Sequence, residues 1–349
     1  MAGGGQSGPP VAQTGGRADL KVDQPVISVV VPTFERTLRL APLVACLERQ
    51  HMEGAFEVVV VDDGSTDGTW DELQRLAAVA AVDLRPVRLG ANRGPAAARN
   101  AGWRAARASL VAFTDDDCLP ESDWLDALVG GLTHADIVQG VTVPDPDDLD
   151  NIGPLGRTLD VTSEGLYPTS NVAYRRTVLE QEGGFDERFR RSCDDTDLAW
   201  RARDHGARTA FVTEARVRHA VHRYGVVEYF REKLRWDGVA LVVREHPGLR
   251  AYLHSPYFWR ASHPPATAAA GGLLLSAGSL FPRRPRQRAV LLVAGLASAL
   301  PYVRFRTRVQ PLPCGPRRRL ALMPVVLAGD LVEVAVLALA SARYRSLVL

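Results

Sequence analysis

Between residues 26 and 114 the chain alternates short, β-branched apolar runs with longer stretches that place apolar residues at helical spacing. Val26-Ile27-Ser28-Val29-Val30-Val31, Phe56-Glu57-Val58-Val59-Val60-Val61, Leu84 to Leu89 and Leu110-Val111-Ala112-Phe113-Thr114 read as strands. Leu38 to Arg49, Thr69 to Ala80 and the Ala-rich stretch Pro95 to Ala108, which opens with a proline, read as helices. The order βαβαβαβ predicts an α/β fold with a mostly parallel, Rossmann-like sheet and helices on both faces. Runs this uniformly apolar suit strands buried on both sides.

Each apolar run gives way to polar and acidic residues. Behind the strands stand Pro32-Thr33, then Asp62-Asp63-Gly64-Ser65, then Asn92-Arg93-Gly94, then Asp115-Asp116-Asp117. In an open α/β sheet the ligand sits outside the carboxyl ends of the strands, so all four loops face one crevice. Asp-Gly, Ser and Thr most often just form turns and cap helices. Four such loops on one edge point to a site instead. Adjacent carboxylates repel one another unless a divalent cation or hydrogen-bond donors neutralise them, which predicts a metal-assisted diphosphate site.

Beyond Asp123-Trp124-Leu125 the pattern is less regular. Asp145 to Gly156, rich in Asp, Pro and Gly, reads as a mobile loop. Ser192 is placed to cap a helix whose first turn holds Asp194, Asp195 and Asp197. Complementing the helix dipole needs only one or two exposed carboxylates there, and three in four residues exceed that need. Ala215 to Arg218 reads as a strand leading to His219, with His222 close behind.

From Pro264 the composition changes again. Thr267 to Phe281 and Ala289 to Val303 are nearly uncharged, and Leu320 to Ala342 is apolar except for Asp330 and Glu333. Each clean stretch falls short of the ~20 residues that span a hydrocarbon core. If the first stretch crossed a membrane from a cytosolic domain, Arg283, Arg284, Arg286 and Arg288 would land outside, against the positive-inside tendency. A hairpin dipping in from the inner face keeps them, and Arg304, Arg306 and Arg308, cytosolic. A buried helical subdomain or an oligomer interface is the competing reading.

Composition narrows the field further. A chain of 349 residues suggests one catalytic domain plus an appendage, here 26–255 and 256–349 behind a disordered tail at 1–25. The tail has no apolar core of a secretory signal. A net charge of +2 does not suggest a nucleic-acid partner. Cys46, Cys118, Cys193 and Cys314 lack any Cys-x-x-Cys spacing, so a reduced, cytosolic protein is expected.

Taken in order, these motifs resemble a family 2 glycosyltransferase of the GT-A nucleotide-sugar-binding fold. The resemblance runs from Val26 to about Arg250 and rests on Val-Val-Val-Pro-Thr-Phe-Glu-Arg at 29–36, Val-Val-Asp-Asp-Gly-Ser-Thr-Asp-Gly-Thr at 60–69, Asn-Arg-Gly-Pro-Ala-Ala-Ala-Arg-Asn at 92–100 and Phe-Thr-Asp-Asp-Asp-Cys-Leu-Pro at 113–120. Asn171-Val172-Ala173-Tyr174-Arg175, Gly183-Gly184-Phe185-Asp186 and Asp194-Asp195 continue it.

The resemblance implies roles. Pro32, Thr33, Asp62 and Asp63 belong to the nucleoside pocket, with Asn92 and Arg93 near the sugar nucleotide. Asp115 and Asp117 match the Asp-x-Asp element that meets the ribose and bridges Mg²⁺ or Mn²⁺ to the diphosphate; with three aspartates in a row, Asp116 is an alternative ligand. Asp195 is the expected general base, Asp194 replaces the usual Glu before it, Asp197 is a structural or acceptor-side carboxylate, and Trp236 falls on the acceptor side. His219 is a weaker metal candidate, and His222 is equally available.

The expected protein is an inverting, metal-dependent glycosyltransferase at the cytoplasmic face of the membrane. Its donor is a nucleotide diphosphate sugar and its acceptor a glycan or lipid-linked hydroxyl, the latter accounting for the apolar tail. A nucleotidyltransferase, or an inactive membrane scaffold of the same fold, is the alternative.

Overall fold

The computed structural model describes residues 24–150, 152–281, 284–309 and 312–349. Apart from Gln24 and Pro25, the tail expected at 1–25 lies outside the described residues, as does Arg283. The strands are β1 Ile27–Thr33, β2 Phe56–Asp62, β3 Asp83–Arg88, β4 Leu110–Phe113, β5 Cys118–Pro120, β6 Ile137–Pro144, β7 Val172–Arg175 and β8 Thr209–His219. Between and after them run α1 Thr37–Leu47, α2 Thr69–Val79, α3 Pro95–Ala105, α4 Trp124–Leu132, α5 Pro146–Leu149, α6 Arg176–Glu182, α7 Asp194–Asp204, α8 Val226–Lys233 and α9 Gly238–Glu245. The chain closes with α10 His263–Gly278, α11 Pro285–Arg304 and α12 Pro316–Tyr344.

One eight-stranded sheet has the order β3-β2-β1-β4-β7-β6-β8-β5. The first four strands are parallel, as their apolar runs and intervening helices predict. Consecutive strands step outward from β1 on one side and β4 lies on its other side, so the order reverses at the β1/β4 boundary. That reversal opens the crevice in which such sheets bind ligands. Beyond it the sheet is mixed: β7 is antiparallel to β4 and β6, and β5 antiparallel to β8. This is a GT-A-like fold with apolar helices at its C-terminal end.

Valines of β1 and β2 alternate between two cores. Val30, Val59 and Val61 face α3 and the α7–α9 side, whereas Val29, Val31, Val58 and Val60 face α1, α2 and α4. The first core does not stop at residue 255, because Leu337 of α12 and Val348 are buried in it. The stretch 145–156, read from sequence as a loop, contains the short α5, whose start is held by Asp145 accepting from the Asp147 amide. Asn151 lies outside the described residues.

The apolar tail differs from the sequence reading in its geometry. The first stretch does not fold back on itself; α10 and α11 together form an antiparallel hairpin, with Gly272 against Ser298 and Gly295 against Ser276. Arg284, Arg286 and Arg288 therefore stand at the hairpin's turn, away from Arg304.

Candidate active site

The strand-end loops converge on a cleft of about 1140 Å³. Its inner wall holds Pro32, Thr33, Asp63, Asn92 and the run Asp115 to Asp117; its outer wall holds Asp194, Asp195, His219 and Trp236. Each of these was a candidate from sequence.

The loop after β2 shows why the sequence folds this way locally. Gly64 has φ +78°, and a Cβ there would press on the backbone of Ala91 and Asn92 at 2.7–2.9 Å. Its absence lets the two loops touch. Asp63 then accepts from the amides of Arg93 and Gly94, both at 2.8 Å. Burial pushes the Asp63 carboxyl up, against those two amides.

The three aspartates after β4 point three ways. Asp115 accepts from Arg99 at 2.9 Å. Asp116 accepts from the Thr33 hydroxyl at 2.7 Å, and burial together with the charge of Asp117 pushes it up to about 7. Asp117 is held well below the usual carboxylate range: burial opposes its ionisation, but His222 and His219 outweigh it. The register of β5 on β8 sets Cys118 opposite His219, which brings Asp117 Oδ1 to 3.4 Å from His219 Nε2.

His219 Nδ1 lies 2.8 Å from the Ala220 carbonyl, which leaves Nε2 as the nitrogen that faces Asp117 and that a cation could take in place of a proton. Donor atoms of Asp117, Cys118 and His219 lie within 4.8 Å of one another. A carboxylate plus a lone-pair imidazole fits a divalent cation that also takes phosphate oxygens, as Mn²⁺ does. His222 Nε2 lies 3.1 Å from the other Asp117 oxygen, with its ring stacked on Tyr224.

On the outer wall Asp195 accepts from the Thr196 amide at 2.8 Å and the Thr169 amide at 3.3 Å. Burial first, then the charge of Asp194, pushes its carboxyl up to about 7. Asp194 is tied to the buried Arg99 at 2.8 Å. One guanidinium thus joins the inner wall at Asp115 to the outer wall at Asp194. Cys193, with φ +74°, turns the chain sharply just before α7 and so sets both aspartates.

Three sequence-derived roles need correction, and one open choice is narrowed. Asp62 is fully buried and accepts from the Ser65 amide at 3.0 Å, so it closes the β2 turn and does not line the cleft. The Arg93 side chain turns outward to Glu187 at 2.7 Å, and only its backbone amide serves the site. Of the two roles open to Asp197, the structure favours the structural one: it is buried away from the cleft, holding Arg201 at 2.8 Å and facing His246 at 3.3 Å. Two positions along a helix is about 200° of rotation, so Asp195 and Asp197 face opposite ways. Ser192 does not cap α7; its hydroxyl donates to the Arg235 carbonyl at 2.7 Å.

Sequence reasoning assigned no role to Arg99. Its signal was present within the motif at 92–100, where one charged side chain follows three alanines on a helix that must pack under the sheet. Arg36 also lines the cleft beside Asp116 and Asp117.

Comparison with known proteins places these motifs. The family model described as Glycosyl transferase family 2 matches residues 28–193, and that described as Glycosyltransferase like family 2 matches 162–238. The chain is 31% identical over 244 residues to the pre-mycofactocin glycosyltransferase of Mycobacterium tuberculosis, covering 65% of this chain and 49% of that one. It is 27% identical to the glycosyltransferase AglE of Haloferax volcanii, covering 58% and 69%. The chain spans about half the length of the mycobacterial relatives it matches. Among solved structures, the mannosyltransferase PcManGT from Pyrobaculum calidifontis, in complex with GDP-Man and Mn²⁺, shares the fold with TM-score 0.51 at 20% identity, over 93% of this chain and 88% of that one. With both matched segments covering the sheet and the acidic loops of the cleft, the chain belongs to the family 2 glycosyltransferases.

Proposed function

We propose that this chain transfers a sugar from a nucleotide diphosphate donor to an acceptor hydroxyl in a single inverting displacement, with residues 26–255 carrying the chemistry. The observation that carries the reading is that Asp195 lines the same cleft as Asp115 to Asp117, with Arg99 tying Asp115 to the neighbouring Asp194. A base placed there can work on an acceptor while the donor lies along the strand ends.

In this scheme Asp63 and Thr33 border the nucleoside and Asn92 the sugar nucleotide. Asp117 and His219, with Asp115 or Asp116, would hold Mg²⁺ or Mn²⁺. When bound, the cation neutralises charge that develops on the leaving diphosphate. Asp195 takes the proton of the acceptor hydroxyl as its oxygen bonds to the anomeric carbon. The bond from that carbon to the diphosphate oxygen breaks on the opposite face, and its electron pair leaves with the diphosphate. A base whose carboxyl titrates near 7 is half-ionised at neutral pH and still basic enough to accept that proton. Trp236 and Trp259, 5.6 Å apart, line the cleft and fall on the acceptor side of this scheme.

The apolar C-terminal region supports attachment to the cytoplasmic face of a membrane, where a lipid-linked or envelope-glycan acceptor would be met. Pro285–Val309 and Pro316–Tyr344 are long and apolar enough to cross a bilayer.

Calorimetric titration of a panel of nucleotides and nucleotide sugars, with Mn²⁺ and with EDTA, tests the donor side. Binding of one base class should require the metal, and Asp117→Asn should weaken metal-linked binding far more than it lowers the melting temperature. Full transfer by EDTA-treated enzyme would defeat the metal assignment.

A further inference from the structure

By composition α12 is the more apolar of the two long C-terminal helices, and hydropathy alone would choose it as the membrane segment. Its packing says otherwise. Asp330 and Glu333 are completely buried. Asp330 accepts from Tyr302 at 2.8 Å and from Arg306 at 2.6–2.7 Å. Glu333 accepts from Lys233 at 2.7 Å and also pairs with Arg260. Lys233 belongs to α8, whose Glu228, Arg231 and Glu232 line the cleft. Alongside, Gly329 lies so close to Tyr229 of α8 that any side chain there would overlap the ring. Leu337 and the following Val348 sit in the catalytic core. Moving α12 into hydrocarbon would strip Glu333 of Lys233 and Arg260 and carry the Asp330–Arg306 pair into lipid, which a bilayer does not tolerate.

The hairpin α10–α11 has the opposite character. Its inner seam is closed by small residues, Gly272, Ser276, Gly295 and Ser298. Outside the seam it is bare: Leu274 is 75% exposed and Leu296 68%. Leu273, Leu274 and Leu275 are all exposed at consecutive positions, so every outward direction of α10 is apolar. A second protein copy would cover one face of such a hairpin; a lipid environment covers all of them. The uncharged stretch 289–303 runs between Arg286 and Arg288 at the hairpin's turn and Arg304 at its base; the turn arginines run against the positive-inside tendency, and their long side chains allow their charges to reach phosphate headgroups.

We infer that the α10–α11 hairpin alone enters the lipid bilayer, and that α12 stays within the protein as a buttress clamped to the acceptor wall of the cleft. This refines the membrane attachment proposed above, and its test reads vesicle binding and not transfer, so it stands or falls apart from the glycosyltransferase reading.

The experiment is flotation of the full chain with phosphatidylcholine vesicles, with and without phosphatidylglycerol. Leu274→Glu/Leu296→Glu places charge on the hairpin's bare surface, and Leu320→Glu/Leu339→Glu does the same on the exposed face of α12, where those leucines are 65% and 74% exposed. All of them lie on the surface, and circular-dichroism melting confirms that each variant folds. The wild type should float, more strongly with the anionic lipid. The hairpin pair should reduce the floating fraction roughly tenfold or more, and the α12 pair should float like the wild type. Loss of flotation in the α12 pair, retention in the hairpin pair, or a wild-type chain that forms a monodisperse dimer without lipid and ignores vesicles would each overturn the inference.

Discussion

The inner wall of the cleft, β1 to β4 and the loops behind them, takes its side chains from positions directly behind a strand end. The outer wall draws on residues 157–170, 190–196 and 219–236, which come together only when β5 to β8 close the sheet in mixed directions. The inner wall is therefore a consequence of local pattern, and its carboxylates find their donors nearby, Asp63 from two amides and Asp116 from Thr33. The outer wall is a consequence of long-range packing, and Asp195, held by two amides, shares its raised pKa with Asp63 and Asp116 across the cleft. On the proposed reading the inner wall holds the donor and the outer wall supplies the base.

The sharpest way to break that contrast is Asp195→Asn. Transfer should fall ~10²- to 10⁴-fold in single-turnover measurements while calorimetric donor binding is unchanged. Asp197→Asn, on the opposite face of α7, should act through stability and leave the rate of folded enzyme near wild type. The stability effect of Asp195→Asn has a definite sign. Because the folded carboxyl titrates near 7 and an unfolded one near 3.8, the protonated form favours the fold, and that contribution is lost as pH rises through about 7. Asn keeps the uncharged state at every pH. Its melting temperature should exceed wild type by roughly 2–4 °C above pH 7, with the gap closing below pH 4. Retained transfer, or lost donor binding, would move the base elsewhere.

The same division explains what could be read in advance. Strands β1 to β4 and helices α1 to α3 were legible because each is a short apolar run punctuated by turn residues, and the site residues Thr33, Asp63 and Asp115 to Asp117 stand at those punctuation marks. Asp194 and Asp195 were legible as an excess of charge at a helix start. Strands β5 to β7 were not: β5 is three residues long, and β7 earns its place only by pairing with β4 and β6. Asp62 was misplaced, and the role of Asp197 stayed open between structural and acceptor-side, because a carboxylate's direction depends on a turn closing and on helix phase, neither visible in residue type. Arg99 was missed because a buried cation has no meaning until both of its partners, 16 and 95 residues away, are in place.

Arg99 is where the two walls meet, so its removal should injure both. Arg99→Leu leaves the buried Asp194 and the half-buried Asp115 without their shared partner, a change that typically costs ~3–5 kcal/mol. The expected outcome is a strongly lowered melting temperature, weaker donor binding and an acid limb of the pH–rate profile displaced upward, because the guanidinium now lowers the pKa of Asp195. Arg99→Lys should recover part of the stability but not both contacts, since an ammonium lacks the planar fork that reaches two carboxylates at once. An unchanged pH profile in Arg99→Lys and a partly folded Arg99→Leu would reduce Arg99 to a structural tie.

The smallest expected effect falls on the histidine pair, and it separates a ligand from a residue that aims one. His219 offers Nε2 to one Asp117 oxygen with its Nδ1 proton committed to a carbonyl, whereas His222 approaches the other oxygen as a hydrogen-bond donor and is held flat by Tyr224. Asp117 thus has one oxygen occupied and one turned toward His219. Such orienting donors typically account for ~10- to 100-fold in metal affinity. His222→Phe keeps the stack and removes the donor, so Mn²⁺ affinity, measured by electron paramagnetic resonance with nucleoside diphosphate present, should fall about tenfold. His222→Gln restores an N–H donor and should recover much of that loss, while His219→Ala should lose more than either. Equal losses from His219→Ala and His222→Phe, with no recovery in His222→Gln, would instead make both imidazoles direct ligands and join the two walls through the metal as well as through Arg99.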